Sequence, residues 1–248
     1  MAFAQVNWSS QTLGKQVGMH VILPEVGTPP FPVFYLLHGL SDDYTIWHRR
    51  TRIEWYVRER PLIVVMPDGF RGFYTNQEEG PAYASYMAKE LPAFVERHFA
   101  ASPAREQRCV GGLSMGGYGA LRLALGYPER YVSTNSHSGA VLFGHLSCAE
   151  LERDNAEFRQ IFGADPKGSE HDLIALSRRA EQRQVIPEIH IDCGTEDVLI
   201  EQNREFHAQL DEMGVTHVYR EHPGAHTWDY WDVHIQDALQ FHCRALGI

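Results

Sequence analysis

Short apolar runs alternate along this chain with longer stretches in which apolar residues recur every three or four positions. "FAQVNWSS" and "QVGMHVILP" predict two paired strands at a sheet edge. "PVFYLLHG", "PLIVVMPDG", "QRCVGGLS", "YVSTNSHSG", "PEIHIDCG" and "THVYREH" predict six more strands, several stopped by Gly or Pro. Helical spacing predicts helices around "RRTRIEWYVRER" and over "YASYMAKELPAFVERHF", "MGGYGALRLALGYP", "LIEQNREFHAQLDEMG" and "WDYWDVHIQDALQFHCRAL". Strands alternating with helices predict an α/β fold with a mostly parallel central sheet covered on both faces.

The stretch at about 143–180 breaks this rhythm. It is polar, helical in pieces, and interrupted by "FGADPKGS". Two expectations stand side by side: a small helical cap over the sheet's carboxyl edge, or a solvated helical excursion. No internal repeat, low-complexity tract or linker divides the chain. Residues 1–248 therefore read as one domain with a cap insertion.

Composition narrows the function. A formal net charge of -10 argues against binding nucleic acid through its phosphates. No apolar run approaches the roughly 20 residues that span a bilayer. "MAFAQVNWSSQTLGK" has no basic segment followed by an apolar stretch, so no signal peptide and a cytoplasmic location are expected. Cys109, Cys148, Cys193 and Cys243 are scattered singly and are expected as buried free thiols in a reducing compartment. C-x-x-C and H-E-x-x-H are both absent, and Pro223 and Gly224 keep His222 and His226 off a common helical face. No metal and no cofactor are expected, and the composition leaves room for a homo-oligomer.

The chemistry is carried by "GGLSMGGYGA", Gly111 to Ala120. A phosphate-binding loop would need a Lys-Ser or Lys-Thr pair after the glycines, and none follows. What fits is G-x-S-x-G, Gly112-Leu113-Ser114-Met115-Gly116, between a strand and a helix. This is the nucleophile elbow of α/β-hydrolases. Ser114 is the expected nucleophile. A serine hydroxyl needs a base, and the base needs an acid to fix its tautomer. The chain order in this fold is Ser, then Asp or Glu, then His. "CGTEDVL" follows a strand and offers Asp197 as the acid, with Glu196 as rival and Asp192 inside the strand. Asp197 would also suit a helix N-cap. "YREHPGAHTWDYW" offers His226, after Gly224-Ala225 and before the last helix, in preference to His222 at the strand end. An oxyanion needs two backbone donors. The amides of Met115, after the nucleophile, and Leu40, after Gly39, are expected to supply them. His38 reads as a packed turn residue.

These blocks resemble the esterase D-related α/β-hydrolases, and most closely their tributyrin esterase-like bacterial branch. The matching stretches are "LLHGLSDDYTIWHRRT", "LIVVMPDGFRGFYTN", "GGLSMGGYGALRLAL", "SHSGAV", "CGTEDVLIEQNREF" and "PGAHTWDYWD", from about Phe34 to the last helix. The resemblance supports Ser114, Asp197 and His226 as a triad and Leu40 and Met115 as oxyanion donors. It also implies that Trp47 and Tyr74 lie near the substrate pocket. Members hydrolyse short-chain acyl esters; some cleave S-formylglutathione, and others feruloyl or acetyl groups on plant polysaccharide. The formylglutathione branch carries a cysteine in the loop after its oxyanion glycine, and "GLSDDYTIW" has none. The expected function is hydrolysis of a small-molecule acyl ester through an acyl-enzyme. A thioesterase or acyltransferase with the same triad, a feruloyl or acetyl esterase, and a non-catalytic binding protein are the alternatives.

Overall fold

The computed structural model describes residues 1–147 and 156–248. The expectation for Cys148 and part of the 143–180 stretch fall outside them. Among the described residues one eight-stranded sheet runs in the order β1-β2-β4-β3-β5-β6-β7-β8. Its strands are β1 (Ala2–Ser10), β2 (Lys15–Leu23), β3 (Val33–Leu37), β4 (Ile63–Pro67), β5 (Arg108–Leu113), β6 (Ser133–His137), β7 (Glu188–Gly194) and β8 (Val218–His222). β1 and β2 pair antiparallel at one edge, and β2 meets β4 antiparallel. All remaining pairs are parallel. This is the mostly parallel α/β-hydrolase sheet that the strand–helix alternation predicts.

Two apolar layers follow from the two-residue period of the strands. Val33, Tyr35 and Leu37 of β3, with Ile63 and Val65 of β4, face one layer. Phe34, Leu36, Val64 and Met66 face the other. The first layer is covered by α4 (Leu91–His98), α5 (Met115–Gly126), α7 (Leu173–Gln182) and α8 (Ile200–Glu212). The second is covered by α1 (Ile46–Arg50), α2 (Ile53–Val57) and α9 (Trp228–Leu246).

Three local readings change. The helix expected around 49–60 is two short helices, α1 and α2. Thr51 is extended, its hydroxyl donates to the Trp47 carbonyl, and the Arg52 N–H donates to Asp232 of α9, so the helical ladder breaks. The helix expected over 83–99 starts as α3 (Tyr83–Ser85) and widens into a π-turn at Tyr86–Glu90 before α4. Pro92 has no N–H for the Ala88 carbonyl, and the wider turn absorbs that gap. The described part of the 143–180 stretch is less polar in space than in sequence. Phe158, Ile161 and Phe162 of α6 (Ala156–Phe162) are buried, with Phe158 and Phe162 packed on Phe73. α7 packs on α5 as the crossover between β6 and β7.

β6 is polar yet wholly buried: Ser133, Thr134, Asn135, Ser136 and His137 are all 0 % exposed. α9 supplies part of what they need. His242 Nδ1 lies 2.8 Å from the Ser133 hydroxyl and its Nε2 2.9 Å from Asn135 Oδ1. Burial lowers His242 well below the ordinary imidazole value, and burial pushes His190 of β7 down to about 4. Both rings are neutral in the folded chain where the unfolded chain already takes up protons. Stability is therefore expected to fall as pH drops from 6.5 towards about 4, with His190 alone contributing on the order of 3 kcal/mol. Urea unfolding across that window checks it. His190→Gln should flatten the slope, and an equally steep slope in that variant would show the acid sensitivity to lie elsewhere.

Candidate active site

The sheet's carboxyl edge gathers three side chains from distant parts of the chain. Ser114 sits between β5 and α5 with φ 53° and ψ −118°, a backbone conformation costly for any residue but glycine. Its N–H donates to the His137 carbonyl at 2.9 Å, and its carbonyl accepts from Ala140 N–H at 3.1 Å. The flanking glycines let the backbone close up. A Cβ on Gly116 would lie 2.5 Å from the Leu37 carbonyl oxygen, and one on Gly112 would lie 2.7 Å from the same atom. The G-x-S-x-G spacing is thus a steric requirement of packing the turn on the end of β3.

His226 follows β8 in the turn that Gly224 opens with φ 142°. Its Nε2 is 3.1 Å from Ser114 Oγ, and its Nδ1 is 2.9 and 3.0 Å from the two Asp197 oxygens. Asp197 is buried in the loop after β7 and also accepts the Leu199 N–H at 2.8 Å, so it turns the chain into α8 while facing His226. Burial pushes its carboxyl up. Hydrogen bonds from His226, Leu199 N–H and Ser138 outweigh that and hold it below the ordinary carboxylate value, so it is ionised at neutral pH. An anion beside Nδ1 favours the tautomer that leaves Nε2 free to accept the serine proton.

The rival residues have other partners. Glu196 accepts the Gly224 N–H and the Thr195 hydroxyl, bracing the turn that carries His226. Asp192 is buried behind the site, 2.6 Å from His137 Nδ1, and accepts the Tyr230 hydroxyl at 2.9 Å. His222 stacks on His234 at 4.2 Å.

Leu40 and Met115 both line the cleft above Ser114. Met115 is the first residue of α5, where an N–H has no acceptor one turn back. Among the described residues the Leu40 N–H meets no protein acceptor either. The Leu40 turn is braced from two sides: Asp42 accepts the Gly39 N–H at 3.2 Å, and Arg71 donates to the Leu40 carbonyl at 3.4 Å. His38 is buried and accepts the Gly69 N–H at 2.9 Å, tying the loops after β3 and β4 together as a packed turn residue.

Trp47 and Tyr74, expected near the pocket, do not form its wall. Trp47 donates its indole N–H to the Leu37 carbonyl and is 1 % exposed; it stands behind Trp228, edge to face at 5.3 Å. Tyr74 donates its hydroxyl to the His38 carbonyl and is wholly buried. Each has its polar atom committed to the backbone beneath the site, which holds the ring out of the cleft. The cleft, of about 370 Å³, is walled instead by Phe73, Phe143, Val198, Trp228 and Trp231. Trp231 stands edge-on to the His226 ring at 4.9 Å and donates to the Ser138 hydroxyl at 3.2 Å. The cluster "HTWDYWD" held the signal for both tryptophans: a helix starting at Trp228 returns Trp231 to the same side one turn on.

This fold, with a serine at the strained elbow hydrogen-bonded in series to an imidazole and a carboxylate, is that of a serine hydrolase. The chain also matches, over residues 10–242, the family described as "Putative esterase". It is 32% identical to an acetyl esterase of Caldicellulosiruptor saccharolyticus, over 97% of this chain and 98% of that one. Among solved structures it resembles the fluorophosphonate-binding serine hydrolase F of Staphylococcus aureus, with 30% identity, TM-score 0.88, and 97% and 98% of the two chains covered. It also resembles an S-formylglutathione hydrolase of Staphylococcus aureus, with 31% identity, TM-score 0.86, and the same coverage. The chain belongs to this esterase family and is a serine hydrolase of carboxylic esters. Among the described residues no helix is long and apolar enough to cross a membrane.

Proposed function

We propose that the protein hydrolyses short-chain acyl esters through an acyl-enzyme on Ser114, with His226 as general base and acid and Asp197 orienting it. The continuous hydrogen-bonded series Ser114–His226–Asp197 carries this reading. Ser114 Oγ attacks the acyl carbon while His226 Nε2 takes its proton. The carbonyl oxygen becomes an oxyanion held by the Leu40 and Met115 N–H groups. The intermediate collapses as His226 protonates the leaving alcohol. Water, deprotonated by His226, then attacks the acyl-enzyme by the same route and releases the acid. Every proton is carried by these side chains, so the scheme asks for no cofactor and no thiol.

The acyl group is proposed to be short. Phe73 and Phe143 stack at 5.6 Å in the cleft wall, and Phe158 packs against both rings. Each methylene buried against such a wall contributes about 0.8 kcal/mol, and the gain ends where the rings close the space. The similarity to an acetyl esterase supports the same size. Specificity constants for 4-nitrophenyl esters from acetyl to dodecanoyl, below their micellar limits, are expected to peak between acetyl and butyryl. A steady rise to dodecanoyl would overturn the short pocket.

A thioester substrate is the second reading, favoured by the similarity to the S-formylglutathione hydrolase. The same machinery would serve a thiol leaving group. Comparing kcat/KM for S-formylglutathione with that for a matched acetate ester separates the two.

A further inference from the structure

We propose that His207, Asp211 and His217 form a binding site for one divalent transition-metal ion of the zinc type, away from the ester-binding cleft. His207 and Asp211 are four residues apart on α8 and so share a face. His217 enters from the loop just before β8. One ligand atom from each of the three lies within 4.8 Å of the others. The site sits beyond the amino end of β8, whereas Ser114 lies at the carboxyl edge of the same sheet.

His217 is already arranged as a ligand. Its side chain is 2 % exposed, and its Nδ1 lies 2.8 Å from the Val215 carbonyl oxygen. That carbonyl can only accept, so the proton is on Nδ1 and the lone pair on Nε2. A backbone carbonyl fixing one imidazole nitrogen so that the other is free is how metal-binding histidines are held. Nε2 faces His207 Nδ1 at 2.7 Å and lies 4.0 Å from Asp211. His207 Nε2 lies 3.6 Å from Asp211 Oδ2. The His207 ring is held flat against Tyr219 at 4.3 Å, and the Tyr219 hydroxyl donates to Glu221. The two imidazole planes cross at 67°, so their in-plane lone pairs can converge on one point. Binding replaces the hydrogen that the two rings share; His207 shifts its tautomer or turns over, and both rings stay neutral.

A second cluster, His222, His234 and Asp237, fails this geometric test. Its two rings are stacked only 15° from parallel, so their lone pairs lie in separate planes that no single ion can occupy. Two imidazoles and one carboxylate suit zinc, nickel or cobalt rather than magnesium or calcium, which prefer all-oxygen ligands. Asp211 is 64% exposed, so water completes the coordination. The ion would clip the end of α8 to the start of β8. No ligand-spacing motif announces this, because the third ligand comes from another element.

The test uses the full chain without a histidine tag, titrated with ZnCl₂ by calorimetry in a non-chelating buffer. One-to-one saturable uptake is expected, together with a higher unfolding temperature, while MgCl₂ gives neither. His207→Ala should weaken zinc binding at least about tenfold, and Asp211→Asn should weaken it less. Esterase turnover should be the same in both variants with or without EDTA. His207 and Asp211 are each partly exposed, so these variants are expected to fold even if His217→Gln does not. Absence of saturable uptake, uptake untouched by His207→Ala, or uptake lost instead in His222→Gln would each overturn the site.

Discussion

Ser114→Ala is expected to lower kcat for a short acyl ester on the order of a millionfold while leaving the unfolding transition in place. In the proposed mechanism the residue makes the bond on which both half-reactions depend, and its removal leaves only oxyanion and binding effects. The fold should survive because the turn is held by other groups: the Ser114 N–H on the His137 carbonyl and the glycines packed on the Leu37 carbonyl. Among the described residues the Oγ has its one hydrogen-bond contact with His226. Burst kinetics with a 4-nitrophenyl ester provide the measurement. A variant that keeps a full burst of nitrophenol would assign the acyl-enzyme to another residue.

Asp197→Asn should cost about four powers of ten in kcat, roughly a hundredfold less than loss of the nucleophile, while Glu196→Gln should cost less than about tenfold. Both acids sit in one loop, but only Asp197 meets the imidazole, at 2.9 Å. An amide in its place can donate to Nδ1, which moves the ring proton to Nε2 and removes the lone pair that Ser114 needs. Glu196 instead supports the Gly224 N–H, and glutamine keeps an acceptor oxygen for it. The side-by-side kcat values of the two variants check this. Equal losses would mean that the loop's shape, and not the Asp197 charge, governs the rate.

The sheet, and the three side chains that the fold brings together at its carboxyl edge, were legible in the sequence because each left a local mark. Strand after strand closed on Gly or Pro, the elbow glycines flanked Ser114, and Asp197 and His226 stood in the loops that follow β7 and β8. The lining of the cleft was less legible. Trp47 and Tyr74 are large aromatic residues in the blocks of resemblance, but backbone carbonyls at Leu37 and His38 claim their polar atoms and draw them beneath the site. Phe73, adjacent to Tyr74 and itself almost wholly buried, is the one of the pair that reaches the cleft wall, and the chain turns there through positive φ at both residues. The buried polar strand β6 was equally opaque, since its partner His242 arrives from more than a hundred residues away. Likewise, the apolar face of α6 is spread over Phe158, Ile161 and Phe162 in a stretch whose composition reads as solvated.

In the proposed mechanism Ser114, activated by His226, is the single acylated residue. This is tested most directly by treating the protein with a fluorophosphonate until activity is gone and mapping the adduct by peptide mass spectrometry. One phosphonyl group per chain is expected, on the peptide containing Ser114, appearing in step with the loss of esterase activity and not at all in His226→Ala on the same timescale. Complete inactivation with the adduct on another residue and Ser114 unmodified would contradict it.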